Sequence, residues 1–253
     1  TRFVDFMRVL VPMAGDDTTP EGEQVNIYGN HVGSWNFAAT AYLNQWKVKI
    51  YYEHYFDDHS QMFFQYGRWK DGHIGLEITF PKNRFIDTFV YEGLGTKDQT
   101  GPMLYDSFWG EFEEQISAKD NYYNHYLYQG WQHWGMGIGN PLLPGPIYNK
   151  NGQITFISNR VLAHHIGFCG SPCQSLSYRM LLSYSRHWGT YDNPLNEIKK
   201  QFNSLFEVTY APQQLKGWSF TVSGAMDRGS MLGNNYGGML VIRKQGIIKS
   251  GNK

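Results

Sequence analysis

No stretch of this 253-residue chain approaches the ~18 consecutive apolar residues that a transmembrane helix needs, so the sequence offers no helical membrane span. A basic surplus is missing too. Lys and Arg total 22 against 22 Asp and Glu, and a formal net charge of zero argues against a nucleic-acid partner, because phosphate binding needs positive charge. Cysteine is scarce: Cys169 and Cys173, within Cys-Gly-Ser-Pro-Cys, are too few for a disulfide scaffold or a complete cysteine zinc site. Two turn cysteines without a role, or a small local disulfide in an oxidising compartment, are the readings left open. Catalytic signatures are also lacking. Neither Gly-x-Ser-x-Gly nor His-Glu-x-x-His occurs. Glu111, Glu113 and Glu114 resemble a hydrolase pair only superficially, since acidic loops are usually solvated faces. The sequence therefore reads as non-catalytic, with no cofactor and no metal.

Aromatic residues and glycine are plentiful instead: 17% aromatic, with 18 Tyr and 8 Trp, and 28 Gly. Several segments alternate strictly. Ile74, Leu76, Ile78 and Phe80 alternate with His73, Gly75, Glu77 and Thr79, and the same holds around Val48–Tyr52, Leu176–Tyr184 and Trp218–Val222. Side chains two apart share a face of a strand, so each segment has one apolar and one polar side. The strands expected are 1–12, 27–42, 47–56, 73–80, 85–94, 153–168, 175–188, 204–211, 217–226 and 236–248. Short connections at 43–45, 81–84, 169–173 and 211–216 alternate with long ones at 13–26, 57–72, 96–151 and 189–203. Short helices are expected only in loops, at 195–202 and 104–119. This pattern predicts an all-β fold, an antiparallel transmembrane β-barrel of about ten strands with short periplasmic turns and long outer loops. A soluble β-sandwich with its apolar faces turned inward, a carbohydrate-binding module or a hydrolase, is the alternative. The chain reads as a single domain, 1–253, without repeats or linkers.

Ordered motifs from about Ile50 onward resemble the Wzi-type capsule assembly family, in its Bacteroidetes-like branch. They include Ile50-Tyr51-Tyr52-Glu53-His54-Tyr55, Gly75-Leu76-Glu77-Ile78-Thr79-Phe80-Pro81 and Asp120-Asn121-Tyr122-Tyr123-Asn124-His125. Gly135-Met136-Gly137-Ile138-Gly139-Asn140-Pro141-Leu142, Asn159-Arg160-Val161 with Ala163-His164-His165, and Tyr184-Ser185-Arg186 with Trp188-Gly189-Thr190-Tyr191 follow. The resemblance implies an 18-stranded barrel in the bacterial outer membrane that retains capsular or other surface polysaccharide as a lectin-like anchor. Ten strands then make this the C-terminal part of such a barrel, lacking upstream strands. Thr1 to Phe6 reads as mid-strand, and no signal peptide opens the chain. Surface polysaccharide, outer-membrane lipid and other outer-membrane proteins are the expected partners. A channel for oligosaccharides or other solutes is the second functional reading.

The polysaccharide contacts are expected in the longest loop, at Asn121, Tyr122, Tyr123, Asn124, His125, Tyr128, Trp131 and His133. Flat rings cover the apolar faces of sugars, and Asn, Gln and His exchange hydrogen bonds with hydroxyls. The competing reading is that these aromatics pack the loop itself or belong to an interfacial girdle. Adjacent His164 and His165 point to opposite faces of a strand and cannot chelate one ion together. Lys47, Lys49, Glu53, Glu77, Arg160 and Arg179 are expected on the polar face, paired across strands.

Overall fold

A computed structural model describes residues 3–10, 13, 15–20, 24, 28–57, 59–63, 71–83, 85–105, 113, 116, 118–127 and 129–246. The chain opens on helix α1 (Phe3–Leu10). Strands β1 (Gly33–Leu43), β2 (Trp46–Phe56), β3 (Gly72–Thr79) and β4 (Thr88–Gly95) follow, with a one-turn helix α2 (His59–Met62) between β2 and β3. The two-residue strands β5 (Gln132–His133) and β6 (Met136–Gly137) form a small separate hairpin. Then come β7 (Val161–Cys173), β8 (Leu176–Gly189), β9 (Pro194–Tyr210), β10 (Trp218–Gly229) and β11 (Asn235–Lys244). All but the hairpin strands make one antiparallel nine-stranded sheet in chain order. Among the described residues β1 and β11 do not pair with each other, so the sheet is open.

The all-β antiparallel architecture is as expected, with nine strands where ten were counted. The difference lies at 1–12, where residues 3–10 are helical. Phe3, Phe6 and Leu10 recur at helical spacing, the rings of Phe3 and Phe6 stack 6.2 Å apart, and Arg8 lies 3.9 Å from Asp5 and 2.9 Å from Asp16. Three boundaries also move. The expected turn at Cys169–Cys173 belongs to β7, which absorbs Pro172 through a bulge between Gly170 and Cys173 and turns only at Gln174-Ser175. Both cysteines are free. The expected long loop 189–203, with its short helix, is instead a tight turn at Thr190–Asn193 followed by the 17-residue β9. Gly189 takes a left-handed φ of 85° there, and Thr190 Oγ1 accepts the Asn193 N–H at 3.0 Å. Finally, 153–160 is loop rather than strand, because Phe156 and Asn159 are drawn into the packing of the long loop. Within 104–119 the described Tyr105 and Ile116 form an isolated bridge, not a helix.

Registry across the sheet puts the apolar side chains on one continuous face. One row runs Ala39, Ile50, Leu76, Tyr91, Ile166, Leu182, and another Tyr210, Phe220, Ile242. Nothing described covers this face: Phe37 is 56% exposed, Val222 61% and Leu240 65%. Its Trp and most of its Tyr residues collect toward the two ends, while Tyr91 lies mid-strand. Trp46, Tyr178, Tyr210 and Trp218 lie toward the short turns, and Trp35, Tyr184 and Tyr236 toward the long loops. The opposite face is polar and paired, with Lys47 3.4 Å from Glu77 and Arg179 3.3 Å from Glu207. His164 stacks on Tyr91 on the apolar face, while His165 bonds Ser183 Oγ at 2.6 Å on the polar one. The buried core of Leu94, Tyr123, Leu143, Phe156, Val161 and Ala163 sits on the polar side, between the sheet and the loop folded over it.

Candidate functional site

The 96–160 connection is held to the sheet by buried hydrogen bonds. Asp71, just before β3, is 1% exposed. Its Oδ1 accepts the Asp98 N–H at 2.9 Å, and its Oδ2 accepts the Gln99 N–H and the Tyr122 hydroxyl, the latter at 3.1 Å. Burial pushes the Asp71 carboxyl up to about 6, against the lowering effect of these three donors. Asn159 Nδ2 donates to Asn121 Oδ1 at 2.5 Å and to the Tyr122 carbonyl at 2.9 Å. Asn124 imitates a strand partner: its Nδ2 donates to the Phe156 carbonyl at 2.9 Å and its Oδ1 accepts the Phe156 N–H at 2.8 Å. Arg160 donates to the Lys97 carbonyl at 3.0 Å and lies 3.8 Å over the Tyr191 ring. It therefore pins the turn after β8 to the long loop, instead of lining the polar face of the strands.

At the loop end of the sheet this framework walls a cleft of about 1070 Å³. Its lining is rich in side-chain amides, including Asn30, Asn121, Asn124, Gln129, Gln153 and Asn193. His125 stacks on the exposed Tyr126 at 4.8 Å and contributes rings to the same wall. Amides both donate and accept, and sugar hydroxyls do the same. A cleft of amides with a flat aromatic edge can thus hold a chain of hydroxylated rings through many weak contacts.

The expected site residues divide between this cleft and the loop interior. Asn121, Asn124 and His125 line the cleft, although the first two spend bonds on the framework. Tyr122, only 2% exposed, and Tyr123 are turned into the loop. Tyr122 cannot meet an outside ligand because its hydroxyl is committed to Asp71, and burial raises that hydroxyl's pKa well above the usual phenol value. Tyr123 stacks on Trp131 at 5.3 Å and meets Phe156 edge-on at 5.1 Å. His133 is exposed on β5, next to Trp134 and away from the cleft. Tyr128 lies outside the described residues. The sequence reading missed Asn30, Gln153 and Asn193, which come from three connections far apart in the chain, and it missed Asp71. Asn151-Gly152 was a visible turn signal beside Gln153, but no local pattern joins these segments. Comparison with protein-family models, with curated proteins and with solved structures returns no match for this chain.

Proposed function

We propose that this chain is an outer-membrane β-barrel protein of the Wzi type, non-catalytic, whose loop end holds capsular or other surface polysaccharide at the cell surface. The observation that carries the reading is the inverted sheet: its apolar face lies bare across nine strands, while the packed core sits on its polar side. A water-soluble protein seldom leaves so large an apolar surface uncovered, whereas lipid requires one. Seven of the nine strands, at 10–17 residues, reach the ~9–11 needed to cross a bilayer while tilted, and β3 and β4 have 8 each. Aromatic residues at the two margins of the apolar band match the interfacial girdles of such barrels. The amide-lined cleft supplies the glycan chemistry, and repeated weak contacts along a polymer combine into avidity.

Capsule partitioning in a deletion strain tests the function. The polymer should still be made but should move from cells into the medium, and polymer that stays on the cells would remove the anchoring role. The channel reading is disfavoured by the loop folded over the polar face. Planar-bilayer recordings should accordingly show little current, and a large steady conductance would reverse that preference.

A further inference from the structure

A second cavity, of about 620 Å³, lies between the polar face of the sheet and the hairpin region of the long loop. Its volume falls in the ~300–1,000 Å³ range of small-molecule sites. The sheet contributes Glu53 from β2, His73 from β3 and Glu92 from β4. Tyr55, Tyr123 and Trp131 supply aromatic surface to the same space. His73 stands between the two carboxylates, with Nδ1 4.0 Å from Glu53 and Nε2 3.5 Å from Glu92. Among the described residues no lysine or arginine lines the cavity. The only nitrogen bases in the described lining are the imidazoles of His73 and His165, the latter the cross-strand partner of Glu92.

Each carboxylate is oriented by neutral hydroxyl donors. Ser34 Oγ donates to Glu53 Oε1 at 2.7 Å and the Tyr55 hydroxyl to Oε2 at 3.4 Å, while the Tyr51 hydroxyl donates to Glu92 Oε1. An ionised carboxylate has about four acceptor positions, so these neutral donors fix the groups without exhausting them. What remains is acceptor capacity and negative charge opposite π-faces. The carboxylates attract an ammonium group through their charge and by accepting its N–H groups, and the rings attract it through their quadrupole. Trp131, backed by the buried Tyr123, also brings to the cavity wall an indole ring of the kind on which a pyranose lies.

We propose that this cavity binds an amino sugar, its protonated amine held by Glu53 and Glu92 and its ring against Trp131. The proposal goes beyond the polysaccharide reading and stands without it, because the cavity is separate from the amide cleft and its ligand is a single sugar. Calorimetry on the full protein in detergent micelles, with glucosamine, N-acetylglucosamine, glucose and putrescine, tests it without any variant. Glucosamine should bind at least tenfold more tightly than the other three. Equal binding of N-acetylglucosamine would overturn the role of the amine. Equal binding of putrescine would overturn the role of the ring, and no binding of glucosamine would overturn the site. Glu53→Gln and Glu92→Gln should each weaken glucosamine tenfold or more, whereas Asn193→Ala, in the amide cleft, should leave it unchanged. Unchanged affinity in both glutamate variants would place the amine elsewhere. Capsule retention reads the anchoring function separately, so the two readings fail independently.

Discussion

Replacing Asp71 by asparagine keeps the shape of the side chain and removes one acceptor. Both carboxylate oxygens are in use: Oδ1 takes the Asp98 N–H, and Oδ2 takes the Gln99 N–H and the Tyr122 hydroxyl. The asparagine amide must put its NH₂ against one of the two backbone N–H groups, whichever way it flips. Tyr122 can rotate its hydroxyl to accept, but a backbone N–H cannot. One buried donor is left unpaired, which costs about 1–3 kcal/mol. The penalty should also depend on pH. The carboxyl is raised from 3.8 to about 6 in the fold, so the folded state binds the proton more tightly than the unfolded chain. That contribution is complete below pH 3.8 and is lost as pH rises through 6; about 2 pKa units correspond to at most about 3 kcal/mol. Asp71→Asn lacks this dependence, so its deficit relative to the parent should be larger at pH 4.5 than at pH 7.5. Urea unfolding from lipid vesicles at the two pH values, followed by tryptophan fluorescence, measures the difference. Limited proteolysis within 96–160 reports the loosened loop directly. A variant equal to the parent at both pH values would refute the account of Asp71 as a buried tether, and a deficit that grows toward alkaline pH would refute the raised carboxyl.

Val222→Arg separates lipid from water as the solvent of the exposed apolar face. In a bilayer it should destabilise by about 2–4 kcal/mol near the midplane, whereas at a water-exposed position the change should stay within about 0.5 kcal/mol; unfolding from vesicles distinguishes them. Gly75→Val should dislodge Tyr51, since a Cβ at Gly75 would stand 2.0 Å from the Tyr51 Cζ. Losing the Tyr51 bond to Glu92 should then weaken glucosamine binding severalfold in the same calorimetric assay. Asn124→Ala removes both bonds to Phe156 and should cost about 1–3 kcal/mol with faster cleavage of the loop; an unchanged digestion pattern would show that Phe156 holds the loop by packing alone.

The strands were legible where period two is strict. Around Ile74–Ile78 and Leu176–Tyr184 the alternation fixed both the element and its faces, and the opposite orientations of His164 and His165 followed from that period alone. At 1–12 the apolar residues fit either period, and a local pairing of Asp5 with Arg8 settles on helix. Beyond Gly189 the alternation is weak, because Glu197, Lys199 and Lys200 continue β9 as polar residues at the loop end. The site was harder to read. Composition marked 121–134 as glycan-like, yet the same Tyr and Asn residues are what a folded loop needs to satisfy its own backbone. Which of them faced inward depended on Asp71 and Asn159, distant in sequence and unremarkable in pattern. Neither cavity was legible, since each is walled by segments that meet only in the fold.

The pairing of β4 with β7 has a kinetic consequence. Every other neighbouring pair in the sheet is joined by a connection short enough to form a hairpin locally or with modest loop closure. Gly95 pairs with Leu162 across roughly 65 residues. Compared with the eight-residue connection between β3 and β4, about three doublings of loop length add about 2 kcal/mol of closure entropy. Two meanders, β1–β4 and β7–β11, should therefore form first and wait for each other, with their junction limiting the rate of assembly. The buried bonds of Asp71 and Asn159 lie at that junction. The same side chains that shape the loop would then set how quickly the two halves become one sheet.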